Sequence, residues 1–455
     1  MRHPQKIRQR MRSLMIPIFL ELLLIMLLGI TDTVMLSQYS DNKVASVGVV
    51  NQIINLVNLL FGVTTIGTSV LCSQYLGAAD HASSRQVIGV SLLFNALVGM
   101  AVGISLLTGG SAILALMKIR PELMADALVY MRIVGGFAVV QSLAMTLSAI
   151  LRSYHLANYS LRVTLLMNLI NVVGNYALIF GNLGCPELGV KGAAIATTLS
   201  RIVALVLLFY YLFRKAVPHY RFSSVWPFPL QKLKQILSVG IPSAGEQISY
   251  SFSQVVILFF INMLGNDAIT ARTYAMNLIM FSFLYSMAMA HAGAICVGHL
   301  VGEQRFRMAY KLALQNTRRA IFISFGMALF FALTGSFVIG WFTENEAIIA
   351  MCSAIFMVEL LLEPGRAVNL VVIFALRAAG DTRYPVLTGM IPIWLVATAG
   401  SWFLGIYLGW GLTGMWIAFA ADEAIRGAIM LKRWRSKKWE KMSFINQSTH
   451  FTDPV

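Results

Sequence analysis

Charge is scarce in this chain: only 12% of its 455 residues are Asp, Glu, Lys or Arg, where a soluble globular protein carries about 25%. Cysteine is scarcer still. The four, Cys72, Cys185, Cys296 and Cys352, stand far apart, with no C-x-x-C and no Cys/His cluster, which excludes a disulfide framework and argues against a zinc or other metal site. No G-x-x-x-x-G-K-[ST] loop occurs, so ATP does not drive this protein directly, and no cofactor is expected. No cluster of nucleophile, base and metal ligands is gathered in the chain, which argues against a membrane-embedded transferase. The alternating ten-residue segments of a transmembrane β-barrel are missing too.

What the chain has in abundance is apolar. Hydrophobic residues make up 58% of it, and its mean hydropathy is +0.74. Long apolar segments recur to the end, separated by short polar connectors, which is the pattern of transmembrane helices. The spacing predicts an all-α polytopic membrane protein with twelve spans. They lie at 14–36, 46–75, 87–115, 125–150, 161–183, 190–213, 236–264, 270–299, 319–342, 350–376, 385–408 and 411–431. The first follows a basic stretch, MRHPQKIRQRMRS, as a signal peptide would. Its apolar run is long, however, and no small-x-small cleavage pattern follows, so it reads as a retained span.

Basic residues sort by side. Counting the span-edge residues Arg162, Lys191, Arg272 and Arg319 with the connectors they adjoin, 26 of the 35 Lys and Arg fall on the two tails and the even-numbered connectors, and five on the opposite connectors. The positive-inside rule then puts both termini in the cytoplasm. Four more, Arg132, Arg201, Arg366 and Arg426, lie deeper within spans. The net charge of +16 is thus a topology signal spread over connectors, and no nucleic-acid partner is expected.

A repeat divides the chain. At an offset of 225 residues, Pro17 and Glu21 fall on Pro242 and Glu246, Gly77 on Gly302, Leu151-Arg152 on Leu376-Arg377, and Tyr159 on Tyr384. At an offset of 222, Gly189-Val-Lys-Gly192 falls on Gly411-Leu-Thr-Gly414. The halves are an N-terminal lobe, 1–213, and a C-terminal lobe, 236–431. Between them lies a proline-bearing cytoplasmic linker, 214–235, and a basic tail follows at 432–455. Six spans per half is even, so the two six-helix lobes are expected to share one orientation about a pseudo-two-fold along the membrane normal. Such duplication suits alternating access, with substrate between the lobes.

Span 1 carries two carboxylates, Glu21 and Asp32. A charge at the centre of a span costs roughly 2.5–3.5 kcal/mol on insertion scales, so both ask for a use. The repeat separates them: Glu21 has a twin in Glu246, whereas the partner position of Asp32 is Ile257. The P-x-x-x-E spacing also has a structural reading, since proline frees a backbone carbonyl one turn back. Glu359 and Glu363 stand one turn apart on span 10, and like charges so placed repel. Arg366, three residues beyond Glu363, can neutralise one and leave Glu359 as the free carboxylate. Glu423 and Arg426 are spaced for an intrahelical pair. His291 and His299 share span 8 and read as packing residues.

Several stretches resemble the MATE family, the multidrug and toxic compound extrusion transporters. They are P-I-F-L-E followed by T-D-T-V-M at 17–35, S-Q-Y-L-G-A-A-D at 73–80, P-E-L-G-V-K-G-A-A-I-A-T at 186–197, and E-P-G-R-A-V-N-L-V-V-I-F-A-L-R-A-A-G-D-T-R at 363–383. The likeness spans the whole chain in order. It implies a bacterial inner-membrane antiporter, a monomer in membrane lipid, that exports amphipathic or cationic small molecules against a proton or sodium influx. A less favoured relative would be a flippase for lipid-linked saccharides, which usually has more spans and a strongly basic cavity. The 24 methionines and 27 phenylalanines suit an adaptable cavity, although most must pack helices or face lipid.

The resemblance also implies site residues. An aspartate at the place of Asp32 works in many members with an Asn-x-x-x-Asp pair on span 5. Here the matching positions are Asn171 and Asn175, one turn apart on one face, so the second carboxylate has become an amide. Thr197, in the matching A-T of span 6, would be a fourth member. One carboxylate in place of two favours a proton over sodium as the coupling ion, because a buried carboxylate can exchange a proton for a cation. For the C-terminal lobe the resemblance implies a role for Glu246 in ion or substrate binding. Near Arg366 other members carry an acidic residue, so Arg366, with Glu359 and Glu363, marks a departure from a family-type sodium site.

Overall fold

A computed structural model describes residues 3–218, 220 and 226–445; parts of the linker and of the basic tail lie outside these. The helices are α1 (His3–Tyr39), α2 (Asp41–Gly77), α3 (His81–Leu116), α4 (Pro121–Tyr130), α5 (Ala138–Ser153), α6 (Ala157–Phe180), α7 (Val190–Tyr211), α8 (Leu230–Met263), α9 (Asn266–Gly302), α10 (Phe306–Ile339), α11 (Glu346–Ala378), α12 (Arg383–Pro392), α13 (Ala399–Ser401) and α14 (Gly411–Arg435). Together they make the twelve expected spans, with α4–α5 forming the fourth and α12–α13 the eleventh. Among the described residues nine helices are long and apolar enough to cross a membrane. The α4–α5 pair, bent by 47°, makes a tenth. Completing the twelve are α8 and α14, the latter carrying Asp422, Glu423 and Arg426. The helices overrun the apolar segments: α1 begins eleven residues before the predicted 14–36, because a helix continues where the hydrocarbon stops.

Wide π-turns interrupt two spans, at Met131–Gly135 in the fourth and at Ile393–Thr398 and Trp402–Tyr407 in the eleventh. Such turns shift the helix register and are a recognised cause of kinks. Neither interruption shows in the hydropathy.

Two compact units form. One, the N-terminal unit, is Arg12–Cys72 with Asp80–Gly240; the other, the C-terminal unit, is Met1–Met11, Ser73–Ala79 and Ile241–Val455. In each, the core is built by the repeat. Leu36, Val50, Ile54, Leu114, Met131 and Val190 pack together in the N-terminal unit. Their twins Ile261, Ala275, Ile279, Ile339, Phe356 and Leu412 pack together in the C-terminal unit.

The G-x-x-G pairs show why those residues recur. Gly189 (φ 53°) and Gly411 (φ 58°) hold the left-handed turn into α7 and α14, which residues with a Cβ rarely adopt. Three residues on, Gly192 and Gly414 lie flat against the preceding segment. A Cβ on Gly192 would stand 2.3 Å from the carbonyl oxygen of Leu178, and one on Gly414 2.8 Å from that of Leu404. Backbone cannot yield as a side chain does. Gly192→Ala is therefore expected to lower stability by about 1–3 kcal/mol, read as a drop in thermal unfolding temperature in detergent; an unchanged midpoint would contradict this packing.

Candidate functional site

Three polar side chains of α6 climb alongside α1. Ser160 donates to Oε1 of Glu21 at 2.8 Å, Asn168 donates to the Leu24 carbonyl at 2.8 Å, and Asn175 donates through Nδ2 to Oδ1 of Asp32 at 2.6 Å. They recur every two turns, on one face of a helix. From Asp32 the chain of bonds continues inward. The Asn175 amide also donates to Oδ1 of Asn171 at 3.1 Å, and Asn171 donates to the Thr197 hydroxyl at 3.2 Å. The four residues singled out in the sequence thus meet as one cluster. Asn171 and Asn175 are fully buried and Thr197 nearly so, while Asp32 is half-exposed. The carboxylate is the least buried member of the cluster.

Two small residues make this possible. Gly174, between the asparagines, sits where a Cβ would come within 2.9 Å of the Ala196 Cβ. The close approach of α6 and α7 there carries Thr197 onto Asn171.

Arg201 and Tyr130, which the family motifs do not include, stand beside this cluster. Arg201 lies one turn beyond Thr197 on α7, and its guanidinium acts electrostatically on both Asp32 and the buried Tyr130. Its placement was legible: Arg201 and Thr197 are four apart and share a face. With Asp32 ionised and Asn175 neutral, the cluster carries one negative and one positive charge.

The C-terminal unit does not repeat this site. Ile257, the twin of Asp32, is fully buried in its apolar core. The twins of Asn171, Asn175 and Thr197 are Val396, Gly400 and Phe419. Charge gathers instead between α11 and α14. Nη1 of Arg366 donates to Oε1 of Glu363 at 2.5 Å, the pair that the sequence suggested. Glu359, expected to stand free, accepts from the Trp416 indole at 2.9 Å and lies 3.8 Å from Arg366. On α14, Arg426 binds Asp422 at 2.7 Å and Glu423 at 2.9 Å, and Asn369 of α11 donates to Glu423 at 2.8 Å. Local pairs read separately in the sequence form two bonded groups, joined into one network by the electrostatic action of Glu423 on Glu359, Glu363 and Arg366.

Glycines again set the distance. A Cβ on Gly365 would meet Ala424 of α14 at 3.0 Å, and one on Gly427 would meet the Gly365 carbonyl at 3.0 Å. The network holds four carboxylates against two guanidiniums. Glu359 and Glu363 stand within hydrogen-bonding reach of each other, and one oxygen each of Asp422 and Asn369 is buried without a hydrogen-bond partner. Buried polar atoms are rarely left so.

Glu246 lies elsewhere. Arg377 donates to its Oε2 at 2.6 Å. Arg377 is eleven residues from Arg366 along α11, about 16 Å at 1.5 Å per residue. Glu21 has the matching partner, Arg152, at 3.2 Å. These are the two residue pairs related by the 225-residue offset, so each unit closes the same carboxylate–guanidinium joint. His291 packs edge-to-face on Phe374, with ring centroids 4.7 Å apart.

Comparison with known proteins agrees with this architecture. The chain is 38% identical over 427 residues to the "Uncharacterized transporter YisQ" of Bacillus subtilis, covering 94% of each. It is 28% identical over 447 residues to the "Probable multidrug resistance protein NorM" of Thermotoga maritima, covering 97% of this chain and 95% of that one. A crystal structure of a MATE protein in its bent conformation superposes with a TM-score of 0.86 at 20% identity, over 98% of this chain and 97% of that one. The MatE family model matches twice, at residues 17–177 and 242–403, and its two matches begin 225 residues apart. With both halves matched, this chain belongs to the MatE family of membrane transporters.

Proposed function

We propose that this protein is a proton-driven exporter of cationic amphipathic compounds. The observation that carries this reading is the bonded run Asp32–Asn175–Asn171–Thr197 with Arg201 beside it. A sodium ion wants several anionic or carbonyl oxygens. Here one carboxylate faces an amide donor and already has a guanidinium within electrostatic reach. When Asp32 loses its proton, the protein's own cation balances it, and a proton is the ion that this arrangement exchanges. Substrate chemistry follows from the C-terminal network. Its carboxylates outnumber its guanidiniums by two, and burying unbalanced charge is costly, so the excess is met by bound protons or by a cationic headgroup. The relatives named as multidrug resistance proteins support this class of cargo. The cell inner membrane, cytoplasmic termini and a monomeric unit complete the reading.

Liposomes holding the purified protein and loaded with an organic cation such as ethidium test it. An imposed pH gradient should drive efflux, and a sodium gradient at equal pH should leave it at background. Asn175→Asp sets a second carboxylate within 2.6 Å contact of the first, which forces the pair to share a proton or a cation. Sodium should then support transport. Strict sodium dependence of the unmodified protein would overturn the proton reading.

A further inference from the structure

The C-terminal unit does not end with its last long helix. After α14 the chain turns at Lys437, in the left-handed region with φ 57°, and folds back through a short turn, Lys438–Lys441, to Phe444. Its lysines face outward, while Trp439, Ser443 and Phe444 are buried. Trp439 stacks on Trp434 with centroids 4.1 Å apart and planes within 4°, and its indole donates to the Trp434 carbonyl at 2.9 Å.

This segment closes on Gln74, a fully buried side chain at the end of α2. The Gln74 Oε1 accepts from the Phe444 backbone N–H at 3.0 Å and from the Ser443 hydroxyl at 3.2 Å. Its Nε2 donates to the Ala378 carbonyl at 2.7 Å. Residues Ser73–Ala79 pack in the C-terminal unit, while the body of α2 belongs to the N-terminal unit. The end of α2 crosses the end of α9 on twin glycines. A Cβ on Gly77 would stand 2.1 Å from the His299 oxygen, and one on Gly302 2.0 Å from the Gln74 oxygen.

Gly380 shows that the fit is built. Its φ of 96° lies beyond the 59° at which its twin in the other half, His155, holds a side chain, so backbone conformation already favours glycine there. The strap adds a second reason: a Cβ at 380 would lie 2.2 Å from the Met442 carbonyl oxygen.

We propose that Lys437–Phe444 is a latch that pins the end of α2 to the C-terminal unit through Gln74, and that its release is a step of the transport cycle. A helix shared by two units cannot leave one of them while both faces of its terminal amide are bonded there. Release costs those hydrogen bonds and exposes Ser443 and Phe444.

Two measurements test this. Truncation after Lys437, and separately Gly380→Ala, should raise amide hydrogen exchange at residues 73–77 by about tenfold or more and change the efflux rate several-fold in the same direction. In a Cys185→Ser background, Gln74→Cys with Ser443→Cys, bridged by a short cleavable bis-thiosulfonate, should stop efflux, and a reductant should restore it. Unchanged exchange in both variants, or full efflux from the bridged protein, would overturn the latch. The second part rests on the export reading. If the unmodified protein moves no cation, that reading fails while the exchange result still decides whether the latch exists.

Discussion

Asp32→Asn should abolish gradient-driven efflux while leaving the protein folded. The substitution keeps an oxygen at Oδ1, so the 2.6 Å bond from Asn175 can persist, and the asparagine run to Thr197 is untouched. What disappears is the ability to bind and release a proton. A loss of tenfold or more in the pH-driven rate, equivalent to about 1.4 kcal/mol or greater, is expected in liposomes. The unfolding temperature should shift far less than in the variants discussed next. Arg201→Gln offers the complementary check. With the internal cation gone, the deprotonated carboxylate needs another, and sodium in the medium should begin to inhibit or replace the proton. Wild-type rates in Asp32→Asn would move the coupling ion to another residue.

Glu246→Gln should produce the largest loss of stability. The pair Glu246–Arg377 is about nine-tenths buried on both sides and 2.6 Å long. Removing one partner of such a pair leaves an uncompensated charge and costs about 3–5 kcal/mol. Glu21→Gln should cost less. Its contact to Arg152 is longer, at 3.2 Å, and Arg152 is 22% exposed, so water can take over part of the guanidinium's solvation. The Ser160 hydroxyl can still donate to the new amide oxygen. Thermal unfolding of the two variants, and of Glu246→Gln with Arg377→Met, separates the effects: the double variant should recover much of the loss, because the orphaned charge is gone. Equal unfolding temperatures for Glu21→Gln and Glu246→Gln would contradict the burial difference.

The fold was largely legible in the sequence, because apolar length and basic connectors are direct consequences of the bilayer as solvent. The repeat was legible for a related reason. Glu21 with Arg152, and Glu246 with Arg377, had to recur together if each half closes the same joint. The N-terminal cluster was legible through the resemblance, and helix periodicity would have added Arg201 to it. The C-terminal network was not. Asp422 and Glu423 look like local partners of Arg426, and nothing in α11 announces that Gly365 and Gly427 bring Asn369 and Trp416 into the same group. Contacts between helices far apart in sequence depend on where small residues let backbones approach, which hydropathy does not report. The π-turns in the fourth and eleventh spans were hidden for a similar reason, since a one-residue change of register leaves composition untouched.

The joint that recurs in both halves has an evolutionary consequence. A gene segment encoding six spans carries its own closure, its own glycine turns and most of its own core, so a duplicated copy brings its frame with it before it differs in anything else. The copies are then free to diverge at positions that bear no part of that frame. Ile257 stands where the other copy keeps Asp32, and Glu423 where it keeps Arg201; the charge-bearing positions have been rewritten, even to opposite sign, on a scaffold that did not have to change. A chimera joining one half of this protein to the complementary half of a relative should therefore fold, and its ion dependence should travel with the half that contains the aspartate.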